Sequence, residues 1–214
     1  MSQHRQTYLS GPDVSRETLE RLSIYEALLK KWQNVKNLVS PSTLDDIWHR
    51  HFSDSLQLLR ICPDARRWVD IGTGAGFPGM VIAIALGEIA DSNVYLIESD
   101  NRKCAFLREV ARETGAKVTV LYGRAEKILP TLEAVEVVTA RAVTSLNKLV
   151  DMAMPLLEKG AVGLFPKGRD HLAELTQLHL PSNFTIETVP SLTGEQAAIV
   201  IVRGSRLDLS ASAS

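Results

Sequence analysis

The chain has 214 residues, 45% of them apolar and 23% charged, a composition that suits a folded domain with a full core and excludes a disordered one. Lysine and arginine number 24 against 25 acidic residues, a formal net charge of −1, which excludes a globally basic nucleic-acid binder but leaves room for a local basic face. Cys62 and Cys104 stand far apart and outside any CxxC pattern, so neither a zinc site nor a disulfide framework is indicated, and a reducing, cytoplasmic setting is expected.

In chain order, residues 1–12 read as a loose arm without the apolar core of a secretory signal. Over 15–35, Leu19, Leu22, Leu28, Leu29, Trp32 and Val35 recur at near-helical spacing and predict an amphipathic helix. Pro41 interrupts it. Ser42 or Thr43 can cap a second helix carrying Leu44, Ile47, Trp48, Phe52, Leu56 and Leu59, which Pro63 ends. Residues 1–62 are therefore expected to form an N-terminal helical extension, 63–206 the main domain, and 207–214 a disordered tail. The longest apolar stretch, 80–86, is too short to span a bilayer, and no membrane partner is expected.

Strong α/β alternation follows. Strands are predicted at 68–71, 94–98, 118–122, 135–140 and 161–165, with helices near 78–87, 101–114, 124–132 and 144–158. Such repetition implies an α/β fold with a doubly wound, Rossmann-like, mostly parallel sheet. The ending differs: 184–189 and 197–202 read as two strands without a helix between them, an antiparallel C-terminal hairpin.

Residues 69–79 read Val-Asp-Ile-Gly-Thr-Gly-Ala-Gly-Phe-Pro-Gly, the end of a strand, a glycine-rich turn and the start of a helix. Glu98 ends the next apolar run. Glycines that let a backbone approach a ligand, followed by an acid about twenty residues on for ribose hydroxyls, make a nucleotide-cofactor site. The spacing of Gly74, Gly76 and Gly79 also satisfies the dinucleotide fingerprint. Against hydride chemistry of the short-chain type, no tyrosine has a lysine four residues later. Asp70, two residues before Gly72, and the closing hairpin resemble the class I methyltransferases that use S-adenosylmethionine, in which such an acid lies near the cofactor's ammonium end. S-adenosylmethionine leads; a dinucleotide and a purely structural turn stay open. The candidate cofactor residues are Asp70, Gly72, Gly74, Gly76 and Phe77, with Glu98 on the ribose. Ala125 and Glu126 follow the third strand, where methyltransferase folds place the adenine; Glu126 equally suits the first turn of a helix.

Further segments resemble one family. Residues 70–79 look like the cofactor loop of the RsmG (GidB) family of bacterial small-subunit ribosomal RNA methyltransferases. Asn37-Leu-Val-Ser resembles its "NL(T/V)" junction, and Arg50-His-Phe-Ser-Asp-Ser its "RHxxDS" motif. Residues 139–146 resemble its "SRAxxSL" segment, and Lys167-Gly168 its "KG" after the fifth strand. These similarities come in the family's order over about 19–203. The departures are Thr139-Ala140 for Ile-Ser, Val143-Thr144 for Phe-Ala, and Pro166 for an apolar residue. The resemblance implies S-adenosylmethionine-dependent methylation of N7 of one guanine, guanine 527, in a 16S ribosomal RNA loop near the decoding site. The implied partner is 16S ribosomal RNA or the small subunit, and a monomer is expected.

The residues agree with that chemistry. The Asn/Asp-Pro-Pro-aromatic motif common in exocyclic-amine methylation is missing after the fourth strand, and neither cysteine sits where pyrimidine methylation would need a nucleophile. Guanine N7 is a lone pair with no proton to remove, so neither a general base nor a metal is expected, only positioning. Arg141 and Lys167, the candidate catalytic residues for that positioning, end strands four and five on the edge where ligands bind in open α/β sheets. Arg141 is read as touching cofactor or target guanine, with a strand-end arginine as the alternative. Lys167 is read as a phosphate contact or a turn lysine. His51, Asp54 and Ser55 share a helix face; either they dock the extension on the sheet or, with Arg50, they border the guanine pocket and meet RNA. Arg50, Arg102, Lys103, Arg124, Lys148, Lys167 and Arg169 form a candidate positive rim. A small-molecule methyltransferase and a non-catalytic nucleotide-binding protein remain the competing readings.

Overall fold

The computed structural model describes residues 14–34 and 37–204. The arm expected over 1–12 and the tail expected over 207–214 lie outside the described residues, as does Val35. Helix α1 (Arg16–Gln33) starts at Ser15, whose hydroxyl accepts from Thr18 N at 3.0 Å and satisfies one free amide of the first turn. Leu22, Tyr25 and Leu29, spaced three or four residues apart, are fully buried.

The single second helix expected up to Pro63 is a stepped segment instead: α2 (Pro41–Leu44), a π-helix (Trp48–Ser53), α3 (Asp54–Leu56) and α4 (Leu58–Ile61). The Ser53 and Ser55 hydroxyls donate to the carbonyls of Trp48 and His51 at 2.9 and 2.6 Å. Such local bonds compete with the regular ladder, and the wider π turn shifts which side chains share a face.

Seven strands then form one sheet, in the order β3-β2-β1-β4-β5-β7-β6. They are β1 (Arg67–Ile71), β2 (Asn93–Glu98), β3 (Val118–Tyr122), β4 (Val137–Thr139), β5 (Val162–Lys167), β6 (Phe184–Pro190) and β7 (Ala198–Gly204). The first five are parallel, and β7 runs antiparallel to β5 and β6, which is the expected mixed sheet. The connecting helices are α5 (Gly79–Ala85), α6 (Asn101–Thr114), α7 (Ala125–Ile128), α8 (Leu146–Leu157) and α9 (His171–Thr176). Asp100 caps α6 by accepting from the amides of Arg102 and Lys103. Helix α7 is shorter than expected because the chain tightens into a 3-10 turn at Leu129–Thr131, where Pro130 cannot continue an α-helix. Helix α9 has no counterpart among the predicted elements.

Side chains alternate between the two faces of the sheet. Trp68, Val94 and Leu96 join one core with Leu22, Tyr25 and Leu29 of α1, Phe52 of the π-helix, Met80 of α5 and Phe106 of α6. Val69, Ile71 and Ile97 join the other with Leu149 and Ala153 of α8. The extension thus shares its core with the sheet, and the boundary expected at 62/63 does not separate two cores. No helix among the described residues is long and apolar enough to cross a membrane.

Candidate active site

The order reverses between β1 and β4, and β1 lies beside both β2 and β4. Open α/β sheets bind ligands at this switch point, beyond the carboxyl ends of the strands. The loop leaving β1 has φ values of 60, 60 and 101° at Gly72, Gly74 and Gly76, a region that glycine alone enters without strain. A Cβ at Gly76 would also stand 2.8 Å from Met80 Cβ, and one at Gly72 would stand 2.9 Å from Val143 Cγ2.

The loop is tied down from three directions. Asp70 Oδ2 accepts from Thr73 Oγ1 at 2.5 Å and Gly79 N at 2.9 Å. Glu98 Oε2 accepts from Gly74 N at 2.9 Å. The Tyr25 hydroxyl, reaching in from α1, donates to Ala75 O. Asp70 is fully buried and its Oδ1 has no hydrogen-bond partner among the described residues. Burial pushes its pKa up to about 7, against the bonds from Thr73 and Gly79. In this structure Asp70 ties the two ends of the loop together through Thr73 and Gly79. Phe77 packs beside it. It is buried, with its ring stacked on Tyr25 and His51.

Glu98 is also buried, and its Oε1 accepts from the amides of Ser99 and Asp100 at 2.7 and 2.8 Å. Three backbone donors leave a carboxylate limited further acceptor capacity. Ala125 and Glu126 open α7, beyond β3 and so one strand further along the edge than Glu98. Glu126 is exposed in that first turn, where the helix dipole favours an acid.

Beside the loop lies a cleft of about 480 Å³, whose lining includes Thr43, Arg50, His51, Asp54, Arg141, Lys167 and Glu174. Arg141 organises one wall. It donates from NH1 to Asp54 Oδ2 at 2.9 Å and to Arg50 O at 3.1 Å, and from NH2 to His51 Nδ1 at 2.6 Å. Its guanidinium lies 5.3 Å from the centroid of Phe77, within cation–π range. Because Nδ1 accepts, the proton of neutral His51 sits on Nε2, 3.1 Å from Thr43 Oγ1. Burial, and then the charge of Arg141, lowers the His51 pKa to about 4. Ala142 follows with φ 56°, a left-handed conformation unusual for alanine.

The structure therefore unites His51, Asp54 and Arg141 but not Ser55. Ser55 is 1% exposed and bonds to the His51 carbonyl, so the expected RNA contact is corrected to a structural bond. The His51–Asp54 face docks the extension on Arg141 and also lines the cleft. Asp54 Oδ1 accepts from Thr193 Oγ1 at 2.7 Å, Gln57 Nε2 at 2.8 Å and Ser191 Oγ at 3.4 Å. The bonds from Ser191 and Thr193 stitch the β6–β7 connection to the extension.

Lys167 ends β5 and also lines the cleft. Its Nζ lies 2.8 Å from Glu174 Oε2 and 3.1 Å from Thr144 O, with the side chain 10% exposed. Two of the three donors of the ammonium are thereby used within the chain. Glu174 Oε2 also accepts from Leu146 N, the first amide of α8. Burial raises the Glu174 pKa, but the bonds from Lys167 and Leu146 outweigh it and hold the carboxyl below its ordinary value. Arg50, Arg102, Arg124, Lys148 and Arg169 are exposed.

Tyr25, Glu174, Ser191 and Thr193 are the functional side chains that sequence reasoning missed. Glu174 lies seven residues after Lys167 on a helix with no clear periodic signal. Ser191 and Thr193 sit in a turn that only the folded chain brings to Asp54.

The chain matches the GidB family, described as rRNA small subunit methyltransferase G, over residues 18–200. It is 51% identical over 201 residues to the ribosomal RNA small subunit methyltransferase G of Methylorubrum extorquens strain PA1, covering 94% of this chain and 95% of that protein. The protein of the same name from Parvibaculum lavamentivorans is 48% identical over 193 residues, covering 90% and 85%. Among solved structures, the O-methyltransferase TomG from Streptomyces achromogenes, in complex with SAM, superposes with a TM-score of 0.62 at 19% identity over 96% of this chain and 99% of its own. A methyltransferase from Geobacter sulfurreducens gives 0.61 at 16% identity over 95% and 98%. The two superpositions show the fold, that of class I methyltransferases.

Proposed function

Because the chain belongs to the GidB family of ribosomal RNA small subunit methyltransferases G, we propose that it transfers the methyl group of S-adenosylmethionine to N7 of one guanine of 16S ribosomal RNA, guanine 527 in the family's target loop. The observation that carries this reading is a juxtaposition at the switch point: Val143 touches the glycine loop, and Arg141, two residues before it, lines the adjoining cleft. A base held in the cleft is thereby brought beside a cofactor held over the loop.

The residues of the loop suit that cofactor. A Cβ at Gly74 would meet nothing nearer than Gly72 O at 3.9 Å, so this stretch of backbone is open to a ligand. The buried Glu98 side chain beside it accepts from the Gly74 amide and places an acidic group at the loop, which suits a cationic sulfonium and ammonium. Glu98, at the carboxyl end of β2, is assigned to the ribose, and Ala125 and Glu126 to the adenine side. When bound, S-adenosylmethionine supplies an already activated methyl group.

The chain's own task is then orientation. Arg141 is fixed by Asp54, His51 and the Arg50 carbonyl, so its remaining donor capacity is aimed before the base arrives. Guanine N7 carries no proton, and the mechanism asks nothing basic of His51, whose lowered pKa keeps it neutral. Holding N7 in line with the transferred carbon is catalysis by proximity. Exposed Arg50, on the cleft rim, is assigned to the RNA backbone.

The test is incubation with labelled S-adenosylmethionine and small-subunit RNA, both naked and assembled, followed by mapping of the methylated nucleotide. Label at N7 of one guanine is expected. Label at another atom, or on small molecules alone, overturns the reading.

A further inference from the structure

Adenine carries the same N7 lone pair as guanine, so the methyl-transfer chemistry does not itself choose the base. The two purines differ along the adjoining edge. Guanine presents O6 as an acceptor, then N1–H and the N2 amine as donors, whereas adenine presents its N6 amine as a donor and N1 as an acceptor. Single-stranded and flipped bases are commonly read on this edge. A site that selects guanine therefore needs a donor and a carboxylate-type acceptor side by side.

The cleft contains one such pair with capacity to spare. Lys167 and Glu174 both line it, Nζ and Oε2 standing 2.8 Å apart. Each is also anchored to the start of α8 and the loop before it, Lys167 on Thr144 O and Glu174 on Leu146 N. Their positions are thus set independently of any ligand. The hydrogen bonds of Glu174 fall on Oε2, leaving Oε1 without a partner among the described residues. Asp54, also in the lining, has both oxygens occupied. Its side chain is 15% exposed against 29% for Glu174.

We propose that the Lys167–Glu174 pair reads the target base: Lys167 donates to O6, and Glu174 accepts from N1–H and the N2 amine. Adenine would set amine against ammonium and lone pair against carboxylate, so the same pair rejects it. With that edge on Lys167 and Glu174, the N7 side of the base is turned toward Arg141 and the glycine loop. This assignment rests on the guanine-N7 reading above and goes beyond it in naming the residues that select the base.

The test compares small-subunit RNA carrying guanosine or inosine at the target position. Inosine keeps N7, O6 and N1–H and lacks only the N2 amine. The wild-type chain is expected to prefer guanosine in kcat/KM by about tenfold or more, as when a charged acceptor loses its donor. Glu174→Gln is expected to bring that preference down to about twofold or less. Both substrates are measured on one preparation, so partial misfolding of the variant cancels in the ratio. Equal loss on both substrates, with the preference intact, would mean that Glu174 only holds α8 and Lys167, and overturns the proposal. An unchanged rate on both overturns it too. A wild-type chain that methylates no guanine N7 would instead sink the parent reading, which the guanosine arm detects by itself.

Discussion

Arg141 is held by two side chains and a carbonyl from the extension, and its planar fork is what lets one residue satisfy all three. Arg141→Ala is expected to lower the single-turnover methylation rate about a hundredfold at saturating RNA and cofactor, because loosened geometry acts on the reacting step itself. Arg141→Lys should recover little of it. A saturated rate within twofold of wild type would remove Arg141 from the reacting geometry. Two buried groups give stability opposite dependences on pH. Asp70, raised from 3.8 to about 7 by burial, holds in the fold a proton that the unfolded chain loses, so its contribution falls as pH rises from about 4 to 7. His51, lowered from 6.5 to about 4 by burial and Arg141, is protonated first in the unfolded chain, so stability falls as pH drops from about 6.5 to 4. Denaturant unfolding at several pH values should show a steeper rise with pH for Asp70→Asn and a shallower one for His51→Gln. Parallel curves for wild type and both variants would contradict these shifts.

Helix α1 acts on the glycine loop through one bond. The ring of Tyr25 is fully buried, stacked on Phe52 and Phe77, and its hydroxyl reaches the Ala75 carbonyl. Tyr25→Phe keeps the ring and strands that carbonyl, at an expected cost of about 1–3 kcal/mol. Affinity for S-adenosylmethionine should weaken with it, since the loop loses one of its three ties. Calorimetric titration beside a melting curve decides this; unchanged values in both would show that the loop is held well enough without α1. The other elements at the site likewise act in pairs. The π-helix aims His51 and Asp54 at Arg141, while α9 brings Glu174 to Lys167, so the loop at 141–145 is pinned at both ends.

At the scale of the molecule, a net charge of −1 leaves the proposed RNA contact to a local set of cations. Their contributions should differ by how far each is already paired. Arg50→Ala is expected to reduce the slope of log affinity against log salt by about 0.7–0.9, the share of one phosphate contact. Lys167→Ala should leave that slope nearly unchanged, because its ammonium is bound to Glu174 and Thr144. Binding isotherms at three or more salt concentrations separate the two. A full unit lost for Lys167→Ala would return it to the phosphate role that its place at a strand end suggests.

Short apolar runs set between helical segments carry the parallel strands and the closing hairpin, and near-four spacing carries the face of α1, because both are local properties of the chain. The glycine loop is legible for the same reason: a backbone that must take positive φ at Gly72, Gly74 and Gly76 leaves its mark at those positions. Arg141, Lys167, His51 and Asp54 could be singled out by position and family motif, but not their partners. Ser191 and Thr193 stand more than 130 positions from Asp54, and Tyr25 stands 50 from Ala75. Packing of the extension onto the sheet closes those distances, and no local pattern records it. The π turn at Trp48–Ser53 shows the same division. The residues favour a helix there, but its path, and with it the turning inward of Ser55, follows from serine-to-backbone bonds and burial in a shared core. Residue type and spacing determined which strands and loop would form; which side chains meet across them was decided only when the two faces of the sheet were covered.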